Sequence, residues 1–479
     1  MKQIGKSVFF VTAIISVAIF FAGFFGISST YGDIVTDIVN GVHLVPRGFG
    51  FENEVSMYLK LDPESEAELN YSSVKQICEK RLELSAVVEF DVFPDIENEG
   101  VRIVIPQDIN LDGNLGLLGR IMVADGLFEV REGMELDDEG NPTGITENVI
   151  LTNKHVKSVR PMVYNNSSQG NIYYLEVSLT SQGRKALRQK AENMVNEAEE
   201  DETPYLSVWV DGEVQDQFSA SQMLDAEKIT LFSGSSSGYS LDDISAMSIS
   251  ISSGRLGVPL RVSKIIVGQN SGFVTGNKFL LLPTAFALAL LLTGVALFVR
   301  YKYVGLCGFI SLLGCFGFMF IVLTSFYGNP ATMQVTSANI GAFLIVMLMG
   351  VMVIVRDGES VKESMKQGVA FGKSLGAGYG KNLSSTILSY CAVFISGLLF
   401  SDLFKRTGGL SAAVIKWIWP SFSAGKYVVL GQFGTLLWVG AVFSIVMIVL
   451  TNRLMIKSLI SFNFVSKSFF FRGPADEKL

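Results

Sequence analysis

The sequence is poor in the residues that most often do chemistry. Its two histidines, His43 and His155, lie far apart in 479 residues. Neither has a cysteine or carboxylate at metal-ligand spacing, which argues against a zinc centre and against a nucleophile–base pair. Of the four cysteines, Cys307, Cys315 and Cys391 fall in apolar runs, where packing is their ordinary role. Cys78 is alone in the hydrophilic part and so has no internal disulfide partner. Phosphate cradles are missing too. GSSSG at Gly234–Gly238 lacks a following Lys-Ser or Lys-Thr and reads as a loop; GAGYG at Gly376–Gly380 has no strand before it and reads as a kinked amphipathic segment. No catalytic residue, cofactor or metal is expected, and the chain does not read as an enzyme.

Charge is also missing from the long apolar runs. Six windows approach the roughly 20 residues that span a bilayer: Val8–Ile27, Phe279–Val299, Val304–Phe326, Ser337–Val355, Leu383–Phe400 and Gly431–Leu450. None contains Asp, Glu, Lys, Arg or His, and a charge within a span would mark function by default. Met347, Met349 and Met352 are therefore expected to pack, and Gly341 and Gly350 to permit close helix contacts.

What is present in quantity is acid, and it is unevenly placed. The stretch 29–277 holds 39 of the 45 acidic residues but 19 of the 38 Lys and Arg, which makes nucleic acid an improbable partner. The expected layout is a signal-anchor helix over 1–28, an extracytoplasmic domain over 29–277, helices two to six within 278–455 and a cytoplasmic tail over 456–479. Lys2 and Lys6 precede the first run, with no A-x-A-like site after it, as in an uncleaved signal-anchor. Lys2, Lys6, Arg300, Lys302, Arg356, Lys362, Lys366, Lys373, Lys381, Arg453, Lys457 and Lys467 all fall inside if both termini are cytoplasmic. Lys405, Arg406, Lys416 and Lys426 resist that count, and Trp417 and Trp419 suggest that their loop, 404–428, lies on the headgroups.

Within the hydrophilic part, the pattern from Glu54 predicts β-α-β-β-α-β, a ferredoxin-like order, ending with GLFEV at Gly126–Val130. About 134–240 reads as an inserted, head-like part, opening on the turn-rich GMELDDEGNPTG. It contains two strands around Asn-Ser-Ser-Gln-Gly, a charged helix from Ser181, and a hairpin at Asp211-Gly212, a type I′ signal. A helix at Leu241–Ile251 follows. A strand at Val258–Val267, set between glycines, then leads to the second apolar run. The fold class expected is an α+β extracytoplasmic domain with a six-helix transmembrane bundle.

Ser-Gly-x-Leu-x-x-Pro-Leu at Ser253–Leu260, followed by Val267-Gly268, resembles the segment joining the extracytoplasmic domain to the second span in SecD, a protein-export subunit of the RND-like superfamily. KRLELSAVVE at Lys80–Glu89, VWVDGEV at Val208–Val214, ESVKESMKQG at Glu359–Gly368 and AGYGKNLSSTIL at Ala377–Leu388 resemble further SecD segments, in the same order. The sequence also departs from the family. GVHLVPRG at Gly41–Gly48 puts His43 where the family has an acid; the fourth-span aspartate falls on Met352, and the acid expected after STIL is replaced around Ser389. The resemblance implies a divergent accessory subunit of the Sec translocase in the bacterial cytoplasmic membrane. Its partners would be a SecF-like subunit, a SecY-type channel, exported unfolded polypeptide and the lipid bilayer. Gly254, Gly257, Pro259, Gly268 and Gly272 are the expected hinge and coupling residues; with Met352 and Ser389 at the family's acidic positions no proton coupling within this chain is expected, and any dependence on a proton gradient would come from a partner's acid or be absent. The rival reading is a membrane-anchored extracytoplasmic scaffold that keeps the fold without transport.

Overall fold

The computed structural model describes residues 5–31, 34–42, 45–85, 87, 89–107, 114–133, 135–136, 142–144, 148–166, 170–198, 203–232, 239–268, 281–325, 333–369, 371–401, 424–459 and 462. His43, Gly272, GSSSG and most of the 404–428 loop lie outside them. The chain forms two compact units, Met1–Glu54 with Ile105–Asn110 and Gly268–Leu479, and Val55–Val104 with Leu111–Val267.

The second, hydrophilic unit is built on period-two strands and capped helices. In β3 (Glu54–Leu61), Val55, Met57 and Leu59 are buried at every second position, as are Val101 and Ile103 in β5 (Gly100–Pro106). Helix α2 (Tyr71–Leu84) starts where the Asn70 side chain accepts from Ser73 N, and α3 (Leu115–Val123) where Asn114 accepts from Leu117 N. α2 buries Val74, Cys78, Arg81 and Leu82 along one stripe. With β4 (Asp91–Asp95) and β15 (Leu260–Val267), the sheet order is β15-β3-β5-β4.

The expected element order from Glu54 is present, but its last strand leaves that sheet. β6 (Phe128–Glu132) pairs instead with β12 (Tyr205–Val210), in a second sheet, β13-β12-β6-β9, completed by β9 (Val149–Thr152) and β13 (Glu213–Ser219). The position beside β3 is taken by β15, antiparallel from Leu260↔Leu61 to Val267↔Val55. β6 finds its apolar partners in Leu206, Val208 and Val210 of β12, which are buried with Phe128 and Val130. The β12–β13 turn has positive φ at Asp211 (51°) and Gly212 (84°), the backbone that a type I′ turn requires. A third sheet joins β10 (Val156–Asn166), β11 (Gly170–Leu179) and β14 (Lys228–Leu231). Helices α4 (Ser181–Glu197) and α5 (Leu241–Ser253) bury Leu187, Ala191 and Ile244 in the same core. Two short pairs complete the strands, β1 (Ile27–Tyr31) with β2 (Ile34–Val39), in the first unit, and β7 (Glu135–Leu136) with β8 (Pro142–Gly144), in the second.

Among the described residues of the first unit, five helices are long and apolar enough to cross a membrane, where six windows were expected: Ser7–Phe25, Leu281–Thr324, Ser337–Lys366, Lys373–Phe400 and Val429–Leu459. The second and third windows share α6 (Leu281–Thr324), which is broken at Lys302 (φ 49°, ψ −125°). A Cβ on Gly294 would lie 2.9 Å from the Phe309 ring, although a straight helix would hold those positions about 22 Å apart. The run is therefore two rods folded back on each other.

α1 (Ser7–Phe25) packs on α6 where Gly23 meets the Gly317 backbone. In α7 (Ser337–Lys366), a Cβ on Gly350 would meet Ile448 and Leu312 at 2.7 and 2.8 Å, whereas one on Gly341 would make only an ordinary 3.9 Å contact with Phe433. α8 (Phe371–Phe400) is one continuous helix through GAGYG, rather than the kinked segment expected there. It meets α9 (Ala424–Ser444) where Gly397 and Gly434 bring the backbones together. A π-helical stretch, Ile445–Thr451, leads into α10 (Asn452–Leu459).

Candidate functional site

Each unit encloses polar groups, and each set lies close to a segment singled out by the sequence. In the hydrophilic unit the centre is Arg81, fully buried on α2. Its Nε donates to Ser253 Oγ (3.0 Å), Nη1 to the carbonyls of Ile121 and Met122 (2.9 Å each) and Nη2 to the Asp125 carbonyl (3.2 Å). The Ile121 and Met122 carbonyls belong to the last turn of α3, which a helix cannot satisfy itself. Burial pulls the guanidinium below arginine's ordinary value, against the pull of Cys78, Asp211 and Asp125. Burial likewise pushes the Cys78 thiol up to about 12, so it stays protonated. Burial also raises the Asp211 carboxyl above its ordinary value, opposed by the hydrogen bond from Leu127 N.

Asp125 extends this centre to the expected hinge. Its carbonyl accepts from Leu256 N (2.7 Å), one carboxylate oxygen accepts from Gly257 N (2.7 Å), and the other pairs with Arg255 Nε (2.8 Å). Gly254 (φ 98°) and Gly257 (φ 74°) have no atom within 4 Å of an added Cβ. Backbone conformation, not crowding, therefore calls for glycine there. The Pro259 carbonyl accepts from Asp62 N. Gly254, Gly257 and Pro259 thus lie in one tethered loop before β15, and Gly268 (φ 78°) ends that strand with its N–H on the Glu54 carbonyl at 2.9 Å.

Position 352 does not lie in the bundle interior. Met352 is 69% exposed on α7, unlike the partly buried Met347 and Met349 that pack on the core, so the packing expected of all three methionines fails for this one. Ser389 is also exposed, with its hydroxyl on the Ser385 carbonyl. The buried acid is Asp357, five residues further along α7 and 5% exposed. Asn382 of α8 donates to Asp357 Oδ1 (3.2 Å), Ser360 Oγ (2.8 Å) and the Arg356 carbonyl (3.4 Å). Arg356 in turn donates to Thr386 Oγ1 and to the Asn382 carbonyl. Arg453 of α10 donates to the Tyr379 carbonyl (2.8 Å), its guanidinium 5.0 Å from the Tyr379 ring centre. Among the described residues, the Nε atoms of Arg356 and Arg453 are buried without a partner.

The apolar window ends at Val355, two residues short of this acid, although the helix continues to Lys366. The signal lay in helical spacing: Val346, Gly350, Val353, Ile354, Asp357 and Val361 form one buried stripe. A buried carboxylate held by one amide, in a network where two guanidinium Nε atoms have no partner among the described residues, can change its proton or its partner without leaving the helix interface. Among the described residues no cluster suited to a metal ion is present.

No family model and no curated protein sequence matches this chain. Among solved structures, SecDF in its super-membrane-facing form is 16% identical, with a TM-score of 0.59 over 95% of this chain and 57% of that one. The translocon-associated SecDF of Thermus thermophilus is 15% identical (TM-score 0.37, 95% of this chain and 59% of that one). A heavy-metal efflux pump is 10% identical (TM-score 0.31, 95% and 52%). The chain thus spans less than two thirds of each of these two SecDF chains. With 95% of its length superposed on the first of them, it has the SecDF fold.

Proposed function

We propose that this chain is a SecD-like accessory subunit of the Sec protein translocase, acting without enzymatic chemistry of its own to assist export of unfolded polypeptide. The observation that carries the reading is the SecDF fold over 95% of the chain. In this reading its partners are a SecF-like subunit and a SecY-type channel. The reversal at Lys302 supports six crossings, and the sheet order β15-β3-β5-β4 supports a ferredoxin-like subdomain closed by β15. Lys and Arg placement favours both termini in the cytoplasm and the large domain outside a bacterial cytoplasmic membrane. In this reading β15 and its flanking Gly254, Gly257, Pro259, Gly268 and Gly272 carry movement toward the second span. Asp357, rather than position 352, is the acid through which a proton gradient would act.

Met352 and Ser389, at the family's acidic positions, favour a second reading: an extracytoplasmic scaffold that keeps the fold without coupled transport. Mild-detergent purification separates the two. A translocase subunit brings down a second multi-span protein and the channel and raises polypeptide translocation when added to channel vesicles. Recovery of neither, with no effect on translocation, refutes the translocase reading.

A further inference from the structure

Arg453 and Lys457 stand one turn apart on α10 and line a cleft of about 130 Å³ with Leu375, Gly376, Tyr379 and Gly380 of α8, room for several waters or one phosphate group. The α8 glycines divide by face. A Cβ on Gly378 would strike Val361 of α7 at 2.7 Å, whereas one on Gly380 would meet nothing within 4 Å. Gly378 thus serves helix packing, while Gly380 leaves its part of the cleft wall bare and lets a ligand approach the backbone. The Tyr379 carbonyl holds Arg453 Nη2, yet Arg453 Nε is buried with no partner among the described residues. Such a donor is costly unless something accepts from it. Asp357 is the acid whose charge acts on Arg453, and Lys457 adds a second positive charge, so the lining stays net positive.

The cleft lies at an end of the bundle that is anchored and cationic. Ser458 Oγ donates to the Gly5 carbonyl and accepts from Phe9 N, fixing α10 to the start of α1, and Lys6 lies over the Phe462 ring. Basic pockets between membrane helices suit the headgroups of anionic lipids.

We propose that this cleft binds the phosphate group of an anionic phospholipid, held by Arg453 and Lys457 against the bare backbone at Gly380. The inference draws on the membrane placement proposed above only for the source of the phosphate, and its test is independent of export.

The full chain in neutral detergent is titrated with phosphatidylglycerol, and bound lipid is counted by native mass spectrometry. One tight adduct is expected in the wild type, weakened roughly thirtyfold by combined Arg453→Gln and Lys457→Gln. Lys366→Gln, which removes a cation from the end of α7 outside the cleft, leaves the adduct unchanged. Gly380→Leu fills the cleft with both cations in place and favours the helix, so it weakens the adduct with no loss of fold. Displacement by millimolar inorganic phosphate identifies a free phosphate as the ligand; resistance to it identifies the lipid. Equal lipid and phosphate binding by the wild type, the double variant and Gly380→Leu overturns the proposal.

Discussion

Arg81 in the hydrophilic unit and Arg356 in the membrane unit both place guanidinium N–H groups out of water, and they differ in what is left over. Nε and both terminal nitrogens of Arg81 donate, with four acceptors in all, three of them main-chain carbonyls. Arg356 meets Thr386 and one carbonyl, and its buried Nε has no partner among the described residues. A saturated network fixes one arrangement, whereas an unsaturated one beside a buried acid can settle in more than one. The first is the signature of architecture, the second of a working part.

The sharpest way to break this contrast is Arg81→Met. It leaves the α3 carbonyls without donors, and the expected loss is about 3–5 kcal/mol. Hydrogen exchange of the full chain in detergent should show protection collapsing across α2, α3 and α5, with the membrane helices unaffected. Near-wild-type protection would mean that the saturated network is not structural.

A smaller effect is expected at the end of β15. Gly268→Val forces a β-branched residue to a φ of 78°, at roughly 1–3 kcal/mol, while Gly268→Asn, which tolerates that backbone, costs less. If Gly268 is a hinge, valine lowers translocation more than it lowers the thermal midpoint, and asparagine restores both. Full translocation by the valine variant at normal protein levels reduces the segment to a connector.

The smallest effect concerns the start of α5. Hydrogen bonds from Ser240 and Arg120 hold the Asp243 carboxyl below its ordinary value, so its contribution is present above 3.8 and is lost as pH falls through the lower folded value. Asp243→Asn should cost about 0.5–1 kcal/mol at neutral pH. The gap between variant and wild type in urea midpoint should close under strong acid. A gap that stays constant with pH would show that the charge is irrelevant there.

Local elements were legible because local chemistry sets them: Asn70, Asn114, Thr180 and Ser240 each cap the helix that follows, and Asp211-Gly212 makes its turn. Strand partnership was harder. Nothing near Phe128 says that β6 pairs with β12, while β15, about 200 residues beyond β3, takes the place beside it. The loop proposed as a hinge was visible through its glycines, but its tether, Asp125, lies about 130 residues away. Asp357 was missed because hydropathy windows end at charge, whereas the helix and its buried stripe do not. The position that the family resemblance pointed to, Met352, sits on the exposed side of that same helix.

The most direct test is polypeptide translocation in vesicles holding the full chain with its co-purified partner and channel, with and without an imposed proton gradient, comparing wild type with Asp357→Asn. The substitution keeps the shape and removes the titratable group. The variant is expected to fold normally and to lose the gradient-driven part of the rate, by about tenfold or more, equivalent to at least 1.4 kcal/mol in the barrier. An Asp357→Asn protein that translocates at the wild-type rate under the same gradient would contradict that expectation.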